Sequence, residues 1–478
     1  MPITKDILIR RYLEALESYN ACIFAGAGLS VAAGFVDWKG LLKESCDDLN
    51  LDIAKETDLI TIAQYYVNRN AGNRHRLNQK IIGSFNNNTR PTLNHELIAI
   101  FPIQIYWTTN YDRLLETALT NAKRTPDIKY TLNHLTNNKP GRDAIVYKMH
   151  GDCDHPNDAV LTRDDYERYH FKMKDYLSAL RGDLINKTFL FLGFSFTDPN
   201  IEYILSRVRV TFDTNQRQHY CIMRKERSNG TPDSNYNIVK QNLFVEDLKH
   251  YGILTLLVDD YSEITDILKE IEQLYKQKSV FVSGSAETYD YGLFNETSAC
   301  KFIYDLSAKI IGERFRIING FGLGIGSHVI NGALSDIYAD NSNSIKDQLI
   351  LRPFPQGIED KNTRDALWDK YRQDMISKAG IAIFLFGNKK VGTAIIEADG
   401  VRKEFTIAKE KGLKIIPVGA TGYMSKTLWE EVNNAYDTFY PSQSTGFRDS
   451  FEIIGNPIST PDQILSSLMN MIKELNRR

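Results

Sequence analysis

"ACIFAGAGLS", residues 21–30, runs from apolar residues through a G-A-G step to the polar Ser30. A short apolar run broken by glycines predicts a buried strand, a tight turn and a helix start. In an open α/β sheet, ligands bind in the crevice beyond the carboxyl ends of the strands. This junction is therefore the first place to look for function. Gly26 and Gly28 let backbone amides approach a pyrophosphate, and a helix N-terminus favours its charge. Taken alone, G-x-G fits a glycine turn without ligand equally well.

The same pattern recurs outward from that stretch. "FPIQIYWTTN" (101–110), "AIVYKMHG" (144–151), "KTFLFLGFSF" (187–196), "HYCIM" (219–223) and "ILTLLV" (253–258) read as further strands. Charged amphipathic segments such as "DYLSALRGDLINK" (175–187) separate them. Continuous apolar runs of this length fit a parallel sheet covered by helices on both faces. After the amphipathic segment "EITDILKEIEQLYKQ" (263–277) the pattern restarts. "SVFVSGSA" (279–286), "RFRIINGFG" (314–322), "QLILRPFP" (348–355), "GIAIFLFG" (380–387) and "KIIPVG" (414–419) predict a second α/β domain. The expected division is 1–276 and 279–478, with loops at "ADNSNSIKD" (339–347) and "YPSQSTGFRDS" (440–450).

Composition narrows the function classes. A chain of 478 residues is too long for one comfortable core. Apolar content of 42% and charged content of 25% are those of an ordinary soluble protein. A net charge of −2 gives no general field for nucleic acid or an anionic membrane. No apolar run approaches the roughly 18 residues a bilayer span needs. The five cysteines, Cys22, Cys46, Cys153, Cys221 and Cys300, are scattered and form no C-x-x-C pair. That usage points to a reducing cytoplasm and away from a disulfide framework or a cysteine zinc site.

Polar residues cluster where strands end. "WTTNYD" (107–112) finishes on Asn110 and Asp112, "YKMHGD" (147–152) carries His150, and "LGFSFTDPN" (192–200) carries Gly193 and Ser195. "GFVDWKG" (34–40) sets Asp37, an aromatic and a lysine soon after the first glycines. Each residue has an ordinary reading. Asn and Asp form turns, and a lone His after a strand is commonly a hydrogen-bonded structural residue. Asp198 before Pro199 reads as a helix N-cap.

Taken together, in chain order, these motifs resemble the sirtuin fold over roughly residues 10–270. Sirtuins carry G-A-G-x-S, G-x-x-D-aromatic-basic, T-x-N-x-D, H-G and G-x-S at successive strand ends. This chain reads "GAGLS" (26–30), "GFVDWK" (34–39), "TTNYD" (108–112), "HG" (150–151) and "GFS" (193–195). The resemblance implies NAD+ as substrate, held by Ala25, Gly26, Ala27, Ser30, Asp37 and Gly193, with Ser195 near the adenosine ribose. It further implies that Asn110 contacts the nicotinamide ribose, Asp112 the carboxamide, and His150 acts as general base. Protein-deacetylating sirtuins add a zinc ribbon of two C-x-x-C pairs, which this sequence lacks. "HGDCDH" (150–155) offers metal-type side chains, but adjacent residues on a tight loop poorly surround one ion, so no metal is expected. What remains is cleavage of the nicotinamide–ribose bond through an oxocarbenium-like state.

The second half has its own glycine run, "NGFGLGIGS" (319–327), and "VSGSA" (282–286) before it. Such a run lets amides crowd a phosphate, or serves as a hinge. Arg352, Arg372, Lys389, Arg402 and Lys403 follow, with Glu404 beside them. This half resembles the SLOG superfamily of Rossmann-like nucleotide-binding domains. "FGNKKVGTAIIEADG" (386–400) keeps Gly392-Thr393 of that superfamily's catalytic motif but lacks its paired glycines, and Glu397 falls one place late. A sensor role is therefore expected over phosphoribohydrolase activity.

The combination resembles the NADase effectors of the Thoeris antiphage systems. That resemblance implies an activator, glycocyclic ADP-ribose (1''-3' gcADPR, 3'cADPR), made by a TIR-domain partner on infection. It places the activator at Ser283, Gly284, Gly322, Leu323, Gly324, Arg372, Lys389 and Glu404. It also implies homotetramers that stack into filaments, and abortive infection through NAD depletion. Two other readings stay open on the residues: a sirtuin-type deacylase with a regulatory nucleotide domain, and an inert nucleotide sensor that works by assembly.

Overall fold

In the computed structural model, which describes residues 2–85, 89–228, 230–339, 348–441 and 443–476, the chain divides into two compact units, Met1–Glu272 and Gln273–Arg478. The division falls within one continuous helix, Ser262–Gln277.

The first unit is built on a seven-stranded sheet in the order β3-β4-β2-β1-β5-β6-β7, every pair parallel. The strands are β1 Ala21–Ala25, β2 Ile105–Thr108, β3 Pro126–Lys129, β4 Ala144–Lys148, β5 Thr188–Leu192, β6 His219–Arg224 and β7 Ile253–Val258. All five residues of β1 and of β5 are buried, because helices cover both faces of the sheet. The strand order reverses at β1, which has β2 on one side and β5 on the other. Ala25 lies opposite both Thr108 and Leu192, so these three strands end level. Thr108 lies opposite Lys148, which brings β4 to the same rim.

The insertion between β1 and β2 includes the helices Trp38–Asp48, Leu59–Arg69 and His75–Phe85. Their apolar faces form a satellite core with Tyr111, Cys153 and Leu161, residues of the loops that follow β2 and β4. The insertion thereby holds those loops in place.

The second unit repeats the scheme with five parallel strands in the order β10-β9-β8-β11-β14. These are β8 Ser279–Ser285, β9 Arg316–Asn319, β10 Leu349–Leu351, β11 Ile381–Phe386 and β14 Lys414–Pro417. Here β8 is the reversal point. Between β11 and β14 stands an antiparallel hairpin, β12 Asn388–Val391 and β13 Ala394–Glu397, turned by Gly392-Thr393 with Gly392 at φ 62. The stretch read from sequence as a degenerate catalytic loop is thus a two-residue hairpin.

A second difference lies near the C-terminus. The expected loop at 440–450 gives way to a helix, Thr445–Gly455. Ser444 caps it by accepting the Phe447 N–H, and Phe447, Phe451 and Ile454 form its buried face. Of the loop expected at 339–347, residues 340–347 lie outside the described residues. Among the described residues, no helix is long and apolar enough to cross a membrane.

Candidate functional site

The rim above β1, β2, β4 and β5 collects most of the first group of residues. Asn110 stands two residues past Thr108 and His150 two past Lys148, so the register brings both to the same rim of the sheet. The Asn110 Nδ2 donates to the Gly26 carbonyl at 3.0 Å and to Ser30 Oγ at 3.0 Å, tying the end of β2 to the glycine loop after β1. Its Oδ1 is buried and has no partner among the described residues. Asp112 Oδ1 accepts the Leu114 N–H at 2.9 Å, whereas Oδ2 is buried without one. His150 is 2% exposed, and its Nδ1 is likewise unpartnered. A buried polar atom left unsatisfied costs roughly 1–3 kcal/mol. Three of them on one rim mark a place for a ligand with hydrogen-bonding groups of its own. The Trp38 ring, half-buried, lies with its centroid 6.2 Å from that of His150.

The glycines have a packing reason that the sequence did not reveal. A Cβ on Gly26 or Gly28 would run into the Gly193 backbone, and one on Gly193, at φ 64, would strike the Leu29 amide. The Gly28 N–H donates to the Gly193 carbonyl at 2.9 Å. The loops after β1 and β5 therefore press backbone against backbone. Ala25 closes β1, and Ala27 opens a helix of only five residues. Asp37 and Ser195 stand apart from the buried group. Asp37 is exposed and caps the helix Trp38–Asp48 through the Gly40 N–H, and Ser195 is exposed with its Oγ 2.8 Å from Thr197 Oγ1.

Two residues beneath His150 were not singled out from sequence as site residues. Asp198 does cap its helix, accepting the Asn200 and Ile201 N–H groups on Oδ1. Its Oδ2 lies 2.9 Å from His150 Nε2 and accepts the Tyr166 hydroxyl at 3.0 Å. Burial pushes the Asp198 carboxyl up, but the His150 charge and hydrogen bond, the Ile201 N–H and Tyr166 together hold it below the usual range. Lys148 is fully buried, and its Nζ reaches the Tyr111 and Asp112 carbonyls, Glu116 Oε1 and Asp152 Oδ2 at 3.2, 2.6, 3.0 and 2.6 Å. It binds the backbone beside Asn110 to the segment after His150. A lysine inside the apolar run "AIVYKMHG" was the available signal, since a buried ammonium needs partners.

The second group divides. Ser283, Arg372 and Glu404 are buried together: Ser283 Oγ donates to Glu404 Oε2 at 2.6 Å, and Arg372 Nε lies 3.5 Å from Oε1. The Arg372 guanidinium sits over the Phe354 and Trp368 rings at 4.9 and 5.9 Å. Burial pushes the Glu404 carboxyl above its ordinary range, and Ser283 and Arg372 offset only part of that. Gly322 packs against the Gly284 backbone, and Leu323, largely exposed, accepts the Ala286 N–H on its carbonyl at 2.8 Å. Gly324, at φ 69, accepts from the Tyr289 hydroxyl. Lys389 lies on the hairpin and pairs with Asp399.

Comparison with known proteins places this arrangement. Residues 104–247 match the SIR2-like domain, and residues 263–475 match the Sir2- and TIR-associating SLOG family. The chain is 45% identical to the NAD(+) hydrolase ThsA of Bacillus cereus (strain MSX-D12), over 98% of each chain. It is 47% identical to the NAD(+) hydrolase ThsA of Cytobacillus dafuensis, over 99% of this chain and 97% of the relative. The chain belongs to the ThsA family. The Enterococcus faecium member is 42% identical over 98% of this chain and 99% of the relative.

One further feature of this ThsA-family chain bears on metals. Asp152, Cys153 and Asp154 bring three potential donor atoms within 4.8 Å of one another. The donors are already engaged: Asp152 pairs with Lys148, and Arg113 pairs with Asp154. Burial pushes the Cys153 thiol up to about 11, so it keeps its proton at neutral pH. The set does not fit an ion.

Proposed function

We propose that this chain hydrolyses NAD+ to ADP-ribose and nicotinamide as an antiphage effector, with cleavage in residues 1–276 and its control in 279–478. The observation that carries the reading is the trio of buried polar atoms, Asn110 Oδ1, Asp112 Oδ2 and His150 Nδ1, without partners among the described residues. The nicotinamide riboside end of NAD+ offers what they lack, two ribose hydroxyls and a carboxamide N–H. In this reading Asp112 holds the carboxamide and Asn110 orients the ribose or the attacking water. Nicotinamide leaves as a neutral ring, so the departing group needs no strong acid. Water then adds to the oxocarbenium-like carbon, and its proton passes to His150. The glycine loop, with Ala25, Ala27, Ser30 and Gly193, lies against the pyrophosphate, and Asp37 and Ser195 complete the outer part of the NAD+ site.

A constitutive NADase would destroy its host, so cleavage is gated. The gate is a glycocyclic ADP-ribose from a TIR-domain protein, bound by Ser283, Gly284, Gly322, Leu323, Gly324, Arg372, Lys389 and Glu404. Cations and free amides suit its pyrophosphate. Activation in the cytoplasm, as tetramers stacking into filaments, depletes NAD+ and ends the infection with the cell.

The test is nicotinamide release from NAD+ with and without 3'cADPR. Asn110→Ala and His150→Ala are each expected to lower release by about 100-fold or more while 3'cADPR still binds. Normal turnover in either variant would remove this mechanism.

A further inference from the structure

His150 has two ring nitrogens in different surroundings. Nε2 faces Asp198 Oδ2 at 2.9 Å and the Tyr166 hydroxyl at 3.4 Å, and Nδ1 is buried with no partner among the described residues. The Asp198 carboxylate accepts the Asn200 and Ile201 N–H groups on Oδ1 and the Tyr166 hydroxyl on Oδ2, so it serves as an acceptor on both oxygens. The Tyr166 phenol, whose pKa is raised well above the ordinary value by burial and then by the Asp198 charge, stays neutral and donates its proton to the same Oδ2. That hydroxyl also lies 3.4 Å from Nε2, but its single proton goes to the nearer Asp198 Oδ2 at 3.0 Å, which leaves Nε2 facing two acceptors. Nε2 must therefore carry the hydrogen, and the lone pair of the neutral ring is on Nδ1.

We propose that Asp198 is the positioning residue for His150, fixing the Nε2–H tautomer so that Nδ1 accepts the proton during NAD+ cleavage. This rests on the NADase reading above. In the step, the C1'–N bond breaks with its electron pair going to nicotinamide, and a water oxygen bonds to C1'. The proton lost by that water goes to Nδ1 and then to solvent. The imidazolium so formed lies against the Asp198 carboxylate, which stabilises it without taking its proton.

The helix cap makes the proposal sharply testable. Asp198 Oδ1 accepts two N–H groups, from Asn200 and Ile201. In Asp198→Asn the amide oxygen must keep that place, since Asn is as good an N-cap as Asp. The amide NH2 then points at His150 and donates to Nε2. The ring is forced into the Nδ1–H tautomer, and the base is lost while the fold is kept.

The experiment is nitrogen NMR of the full chain with 15N-labelled histidine, His150 being assigned by its loss in His150→Ala, together with nicotinamide release from NAD+ at saturating 3'cADPR. Protonated and bare ring nitrogens resonate far apart. The expected result is Nε2–H in the wild type and Nδ1–H in Asp198→Asn, with kcat lower by about 100- to 10,000-fold and KM little changed. Tyr166→Phe, which leaves the carboxylate in place, should keep the wild-type tautomer. An Nδ1–H ring in the wild type would overturn the proposal without any variant. So would an inverted tautomer in Asp198→Asn with kcat intact. A wild-type chain with the expected spectrum and no nicotinamide release would instead sink the NADase reading, and the catalytic part of this proposal with it.

Discussion

Lys148 shows how a single residue holds the first site together. It is a buried ammonium, and burial by itself would lower its pKa. Glu116, Asp152 and Asp112 reverse that and raise it above the ordinary lysine value. A raised pKa means stability that is fully present below about 10.4, the unfolded lysine value, and is lost only as pH rises through the folded one. Lys148→Met leaves the half-buried Glu116 without its counter-charge and Asp152 with only the half-exposed Arg113, 3.6 Å away, which is expected to cost about 3 kcal/mol. Calorimetry should show a lower first-unit transition, by a margin that stays constant between about pH 6 and 9. A variant as stable as the wild type would mean that water reaches the pair. At this scale the sequence was partly legible. Asn110, Asp112 and His150 stood out because polar residues at the ends of apolar strands have few other uses. Asp198 was read as a cap alone because its two oxygens serve different partners. The His150 contact spans 48 residues of chain and the Tyr166 hydrogen bond 32, and no local pattern announces either.

Among the elements, strands were easier to read than the chain between them. β1, β5 and β11 are buried on both faces and therefore appear as unbroken apolar runs. The hairpin β12–β13 lacks such a run: all four residues of β13 are exposed, so its turn was the only cue. The helix Thr445–Gly455 was hidden for another reason. Pro441, Ser444 and Gly446 look like loop residues, yet Ser444 is a cap and Gly446 lies in the first turn it starts. Its buried face, Phe447, Phe451 and Ile454, repeats at helical spacing and could have been found by extending the window past the glycine. Ser444→Ala removes the acceptor for the Phe447 N–H and is expected to cost about 1 kcal/mol. Hydrogen exchange should show faster amide exchange in residues 445–455 than in the neighbouring helix Pro461–Leu475. Equal protection in wild type and variant would show that packing of Phe447 and Phe451 alone starts the helix.

For the whole molecule, the same rule acts twice. Each sheet reverses its strand order at its first strand, β1 or β8, and at the end of each of these strands a glycine packs against the backbone of a neighbouring loop. The restart of apolar runs after residue 277 made this doubling legible, whereas nothing in one sequence says how binding at one site alters the other. Thermodynamics still constrains it. A proposed activator can shift the NAD+ site only through a difference in its affinity for two states, and the coupling must be reciprocal. His150→Ala offers a way to measure this, since it should bind NAD+ without consuming it. Titration calorimetry of 3'cADPR into that variant is expected to give a Kd that tightens by about 5- to 150-fold when NAD+ is saturating. Arg372→Ala added to the same background should weaken 3'cADPR both with and without NAD+, because it removes the cation that lies against Phe354 and Trp368. An identical 3'cADPR affinity with and without NAD+, in a wild type that still needs activator for turnover, would mean that activation changes kcat and leaves substrate affinity alone. The activator would then act on how His150 and Asn110 meet the reacting carbon, since binding alone could not account for it.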